Sequence, residues 1–216
     1  MKIDQKILYH VGTNTEGCKM LDSKGEHSFD IHFKNFRYLD IINSKFEHKS
    51  KAYGELGWLK FLDKIYAERD ALVLDDKNYK EQLLRQVNHY SYKLNARYWE
   101  LIFESERKEI DINLPSRFSC IYLCDEDLKY WYEKALSEMN VEKIPVYKME
   151  ATGHIHHADS QWLELDILPD NEIKDIARKY WSGETTEDGK LDEYLFWGDI
   201  KILEKFNSIE DKNNRC

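Results

Sequence analysis

LPSRFSCIYL, residues 114–123, decides how the rest of the chain is read. Pro115 ends the long charged helix before it, because its ring bars Leu114 from the helical conformation and it has no N–H to donate. Beyond it, Phe118, Cys120 and Tyr122 alternate with Ser119, Ile121 and Leu123. Both faces carry bulk, so the pattern predicts a central strand buried on both sides. Ser116 and Arg117 stand at the mouth of that strand, and polar groups at such an edge are where ligand clefts tend to form. Asp125 or Asp127 is the expected cap of a following helix that carries Leu128, Trp131, Tyr132, Ala135 and Leu136.

Upstream, residues 6–11 (KILYHV) read as a short strand delivering Tyr9 and His10 at its end, and Gly12, Asn14 and Gly17 mark a loop. Phe29, Ile31 and Phe33 alternate with polar residues as a second strand, whereas residues 35–50 fit either helix or strand. From Tyr53 the pattern turns helical, and the longest helix begins near Lys77. Its apolar stripe is Leu83, Val87, Tyr90, Leu94, Tyr98 and Leu101, spaced three or four residues apart. Arg97, Glu100, Glu104 and Arg107 follow a different stripe. A solvent-facing ladder of ion pairs is one reading of it. The other is a scaffold for residues 115–117, in which Arg97 or Arg107 points inward, with Glu104 and Arg107 within reach of Ser116 and Arg117.

Downstream, residues 145–150 (PVYKME) alternate as a strand, and residues 153–159 (GHIHHAD) read as a loop or edge segment. Pro169 and Asp170 open a helix through Ile173, Ile176, Ala177 and Tyr180 that ends at Gly183. Residues 185–190 read as a polar turn. Residues 193–197 (EYLFW) and 199–206 (DIKILEKF) are expected as two strands meeting at Gly198, and the polar tail from 207 to 216 is expected to fray. The order predicts an α+β domain over residues 1–206, with helices gathered at 53–107 and strands gathered late.

The chain of 216 residues carries a net charge of −9 and no basic block, which argues against nucleic-acid or bilayer binding through bulk charge. No window approaches a membrane span and the N-terminal stretch is neither a signal nor a transit peptide, so the expected location is cytoplasmic. Cys18, Cys120, Cys124 and Cys216 form no metal knuckle and read as free thiols in a reducing compartment.

Three constellations offer chemistry. His154, His156, His157 and Asp159 combine imidazole and carboxylate at a spacing that suits a divalent metal, yet no second ligand cluster accompanies them, and a polar edge loop is the plainer reading. Ser116 and Cys120 lie in no nucleophile motif, and residues 12–17 (GTNTEG) lack the lysine of a phosphate loop. The third constellation is dispersed: Tyr9 and His10 end the first strand, Ser116, Arg117 and Tyr122 mark the middle one, and Glu193 opens a late one.

That order, with the segments YHV, RYWELIFESER, PSRFSCIYL, ARKYWSGE and EYLFWG, resembles an uncharacterised bacterial family assigned to the ADP-ribosyltransferase fold. The resemblance covers residues 7–206. It implies two small, mostly antiparallel sheets forming a cleft, with the helical segment packed alongside. It implies NAD as substrate and Glu193 as the catalytic carboxylate on the ribose 2′-hydroxyl. His10, with Tyr9 beside it, would hold the ribose, Ser116 would support the nicotinamide side, Arg117 would grip the pyrophosphate, and Tyr122 would be an aromatic platform or simply core. Cleaving the nicotinamide–ribose bond builds positive charge at the sugar carbon, which a carboxylate stabilises. The second motif departs from both common signatures of that fold. A non-catalytic nucleotide-binding or protein-interaction module on the same scaffold is therefore the alternative expectation.

Overall fold

A computed structural model describes residues 1–13, 15–23, 25–30, 33, 77–163, 166–186 and 191–215. The helical reading of 53–76, the segment 35–50, Ile31 and Cys216 lie outside the described residues. The elements interleave along the chain: β1 (Lys2–Val11), α1 (Thr15–Ser23), β2 (Glu26–Phe29), α2 (Lys77–Ile110), β3 (Ile121–Leu123), α3 (Lys129–Met139), β4 (Val146–Asp159), a 3-10 turn (Ser160–Trp162), α4 (Asp170–Ser182), β5 (Asp192–Phe206) and α5 (Ile209–Arg215). The expected α+β class holds, but the described strands form one antiparallel five-stranded sheet rather than two.

The sheet runs β1-β4-β5-β2, with β3 pairing β5 beside β2. β3 also reaches β1: Tyr9 and Cys124 exchange both backbone hydrogen bonds at 2.8 Å. Since β1 and β5 flank β4 on opposite edges, this bridge requires the sheet to curl. A pair of glycines sits in the long β4–β5 ribbon, where Gly153 lies directly opposite Gly198. A Cβ on Gly198 would meet the Thr152 carbonyl oxygen at 2.3 Å and the Gly153 Cα at 2.7 Å. Only two bare backbones approach this closely. The expected hairpin at Gly198 is therefore a single continuous strand, and glycine serves there for contact rather than for a turn. On the far edge of β5, β3 pairs with residues up to Phe196 and β2 takes over at Gly198.

Alternation along β5 feeds two cores. Phe196 and Ile200 join Leu8, Leu21, Leu123 and Met149 against α1, while Leu195 joins Trp99, Phe103, Ile173, Ala177, Tyr180 and Trp181 from α2 and α4. Burial on both faces explains the unbroken apolar run of EYLFW. A third cluster packs α3 against Tyr9, Val146 and Phe206.

Several expectations change at the element level. The loop after β1 gives way to α1 from Thr15. β2 ends at Phe29, so Phe33 is not part of a strand. Residues 153–159 belong to β4, and the tail expected to fray forms α5 with Ser208 and Lys212 buried. The strand read over 118–123 shrinks to Ile121–Leu123, because Ser116 to Ser119 form a turn closed by Ser119 N–H on the Ser116 carbonyl. Asp125 accepts from Asp127 N–H in a local turn, and Leu128 stands at the N-cap of α3 with no side-chain cap. On α2, Tyr98 and Leu101 are exposed, whereas Ala96, Trp99, Ile102, Phe103, Glu106 and Arg107 are buried. The buried face is rotated from the apolar stripe, because charged side chains with buried partners belong to it. No described helix is long and apolar enough to cross a membrane.

Candidate functional site

The turn after α2 is held by one side chain. Arg107, 1 % exposed, forks onto Glu104 with Nε to Oε2 at 2.9 Å and Nη2 to Oε1 at 2.8 Å. Its Nη1 donates to the carbonyls of Ile112 (2.9 Å) and Leu114 (2.7 Å), in the turn just past the helix end. Ser116 Oγ donates to the same Glu104 at 2.8 Å and accepts from Phe118 N–H. Burial pushes the Glu104 carboxyl up, but the bonds from Arg107 and Ser116 outweigh it and hold the group below its ordinary range. The charged stripe of α2 is thus a buried scaffold at Arg107, while Arg97 is exposed.

That scaffold delivers Arg117 into a second network. Its Nε meets Glu100 at 3.0 and 3.2 Å, and Nη2 meets Glu100 Oε1 at 3.2 Å. Its Nη1 donates to Glu193 Oε1 and to the Tyr180 hydroxyl oxygen, each at 2.6 Å. The Tyr180 hydroxyl in turn donates to Glu193 Oε1. Arg117, Glu100 and Glu193 are all buried, so one guanidinium is shared between two carboxylates inside the protein. Its carbon also lies 5.3 Å from the Tyr180 ring centre and 5.5 Å from that of Tyr122.

Glu193 faces both ways, since it also lines a cavity of about 120 Å³ with His10 and Tyr122. The walls come from α1 (Met20, Leu21), β1 (Val11), β3 with its flanks (Cys120, Cys124) and α3 (Trp131). Trp131 is fixed by its Nε1 donating to the Asp192 carbonyl at 2.8 Å. Both hydrogen bonds described to Glu193 fall on Oε1. His10 Nδ1 lies 2.8 Å from the Tyr122 carbonyl oxygen, which only accepts, so Nδ1 carries the proton. Burial lowers the His10 pKa more than that bond raises it, and the neutral ring presents Nε2 as an acceptor. Burial drives the Cys120 thiol far up and Cys124 up to about 12, so neither cavity cysteine is a thiolate.

Of the expected site residues, His10, Tyr122 and Glu193 therefore converge on one cavity. Arg117 stands behind Glu193, Ser116 belongs to the Arg107 scaffold, and Tyr9 packs in the third core beneath the Lys212 ammonium, 4.9 Å from its ring centre. Tyr180 was not foreseen as a partner of Glu193. Its place on the buried stripe Ile173–Ala177–Tyr180 was the available signal, because a buried tyrosine hydroxyl needs a partner.

The histidine segment disperses. His156 packs on Trp181 and donates through Nε2 to the Tyr180 carbonyl at 3.3 Å, and burial lowers its pKa to about 4. His157 pairs with Asp192 and stacks on Tyr194. Asp159 accepts from Gln161 N–H, Thr186 N–H and Leu191 N–H, which outweigh burial and keep its pKa low. Among the described residues no group of three or more His, Cys, Asp or Glu is placed to hold a metal ion.

Residues 8–210 match the family described as "Protein of unknown function (DUF2441)", and the chain belongs to that family. No curated protein matches the chain significantly.

Proposed function

We propose that this chain is an ADP-ribosyltransferase-like enzyme of the bacterial cytosol that cleaves the nicotinamide–ribose bond of NAD, either hydrolysing it or passing ADP-ribose to an acceptor. The observation that carries this reading is the cavity where His10, Tyr122 and Glu193 meet, with the Glu193 carboxylate fixed by Arg117 and Tyr180. A ribose seated there would donate a hydroxyl to neutral His10 Nε2 and another to Glu193 Oε2. The C1′–N bond breaks with its electron pair going to the ring nitrogen, and nicotinamide leaves neutral. Water, or an acceptor nucleophile, forms the new bond at C1′ and gives up one proton. The positive charge that grows on the sugar in between is stabilised by Glu193, a preorganised group that need not reorient during the step.

Arg117 acts here as a positioning residue. Its donors are spent on Glu100, Glu193 and Tyr180, so it is not the phosphate clamp that the family resemblance implies. The same saturation favours the second reading, a nucleotide-binding module without turnover. Purified protein incubated with NAD, with and without a cell extract, should release nicotinamide, and Glu193→Gln should abolish the release. NAD bound without turnover by the unaltered chain selects the second reading.

A further inference from the structure

The cavity wall beside Glu193 carries an aromatic ring that the cleavage chemistry leaves unused. Trp131 stands in the first turn of α3, borders the cavity and is half-buried. Its indole N–H donates to the Asp192 carbonyl at 2.8 Å, and that carbonyl belongs to the peptide bond leading into Glu193. One hydrogen bond therefore ties the ring to the backbone that carries the carboxylate. From within the same helix, Tyr130 meets the indole edge-on with ring centres 5.2 Å apart, and the Lys134 ammonium lies 5.3 Å from its ring centre. A large ring on two rotatable bonds, tied at its polar edge, offers contact area with little ordering left to do on binding. Tyr122 borders the same cavity but is engaged with the interior. The Arg117 guanidinium carbon lies 5.5 Å from its ring centre, and the side chain packs against the second core.

Resting on the N-ribosyl cleavage proposed above, we infer that Trp131, rather than Tyr122, is the ligand-binding residue against which the departing nicotinamide ring packs. The base is joined to the ribose at the carbon whose charge Glu193 stabilises. It therefore lies within one sugar ring of that carboxylate, on the stretch of wall that Trp131 supplies. While still attached, the nicotinamide ring is cationic and electron-poor, and an indole face is the strongest aromatic partner for such a ring. Trp131 takes no part in bond breaking. It holds the base in place beside the carboxylate while the C1′–N bond opens.

Titration of the full chain with NAD, followed by tryptophan fluorescence and by calorimetry, tests this. NAD should quench the fluorescence saturably. Trp131→Phe should remove most of that quench, while Trp162→Phe, in the 3-10 turn, should leave it. Because phenylalanine keeps a ring, the affinity of Trp131→Phe should fall by no more than about threefold. Trp131→Leu loses the ring, and its affinity should fall roughly tenfold, with KM for nicotinamide release rising in step and kcat holding. A tryptophan that only braces α3 would change the folded fraction and leave both constants, per folded molecule, as they were. Quenching that survives Trp131→Phe, no quenching of the unaltered chain, or a leucine variant that binds NAD as the unaltered chain does, overturns the inference. The two proposals fail separately. Quenching through Trp131 with no nicotinamide released sinks the cleavage and upholds the contact, whereas nicotinamide released by Trp131→Leu at an unchanged KM does the reverse.

Discussion

Arg107 and Arg117 stand ten residues apart, both buried and both paired with a glutamate of α2, yet their surroundings differ in kind. Arg107 meets one carboxylate and two backbone carbonyls, all of them within the helix end and the turn it holds. Arg117 meets two carboxylates and a tyrosine, drawn from α2, α4 and β5, and one of the carboxylates borders the cavity. The first network balances its charge and secures local backbone. Among the described residues the second sets two carboxylates against one cation, and one of the two borders the cavity. Burying a second carboxylate on a shared cation is costly, so a network that keeps one beside a cavity is arranged for something other than stability.

The comparison breaks most visibly on removal of each cation. Arg117→Ala should cost on the order of 5 kcal/mol in urea unfolding, because two buried carboxylates lose their partner together. Arg107→Ala should cost about 3 kcal/mol, since only Glu104 loses a charge partner, with two carbonyls left unpaired beside it. If Arg107→Ala proves the more damaging, or costs well under ~1 kcal/mol as an exposed pair would, the distinction between the networks fails.

Part of the fold and of the Arg107 network is legible in the sequence, and the part that is not has a physical cause. The start of α2 at Lys77 and the end of α4 at Gly183 follow from local rules of capping and periodicity. The inward turn of Arg107 is one of the two readings the charged stripe allows, although α2 ends at Ile110 rather than at Pro115. The buried face of α2 did not follow, because periodicity ranks Tyr98 and Leu101 above Glu100 and Arg107. Charged groups are buried only where partners exist, and the partner of Glu106, Arg178, is distant in sequence, as are Glu193 and Tyr180 for the Arg117 that Glu100 holds. Gly198 was misread for a similar reason. A glycine signals permissive backbone, but only its cross-strand partner Gly153 shows that the need is close contact. The three cavity residues were recognisable as a set through a family resemblance, while their walls from α1 and α3 carry no motif.

A pH series sharpens the comparison from the far side of Tyr180. His156 donates to the Tyr180 carbonyl, and its folded-state pKa of about 4 lies below the ordinary 6.5 because it is buried. The unfolded chain binds the proton more readily between those values, so stability rises with pH there. The contribution is complete above pH 6.5 and lost as the pH falls toward 4, a decline of about 3 kcal/mol. His156→Gln should flatten that part of the curve. An unchanged slope would mean that His156 does not hold Tyr180 in its neutral form.

The smallest expected change in stability tests the central claim, that Glu193 serves the cavity rather than the fold. Glu193→Gln leaves Arg117 paired with Glu100, a balanced ion pair, and keeps an oxygen to accept from Tyr180. Unfolding of this variant in urea, measured beside nicotinamide release from the same preparation, should show a loss of under ~1 kcal/mol and no release. A loss near ~3 kcal/mol, as for the structural network, with release per folded molecule equal to that of the unaltered chain, would contradict the account.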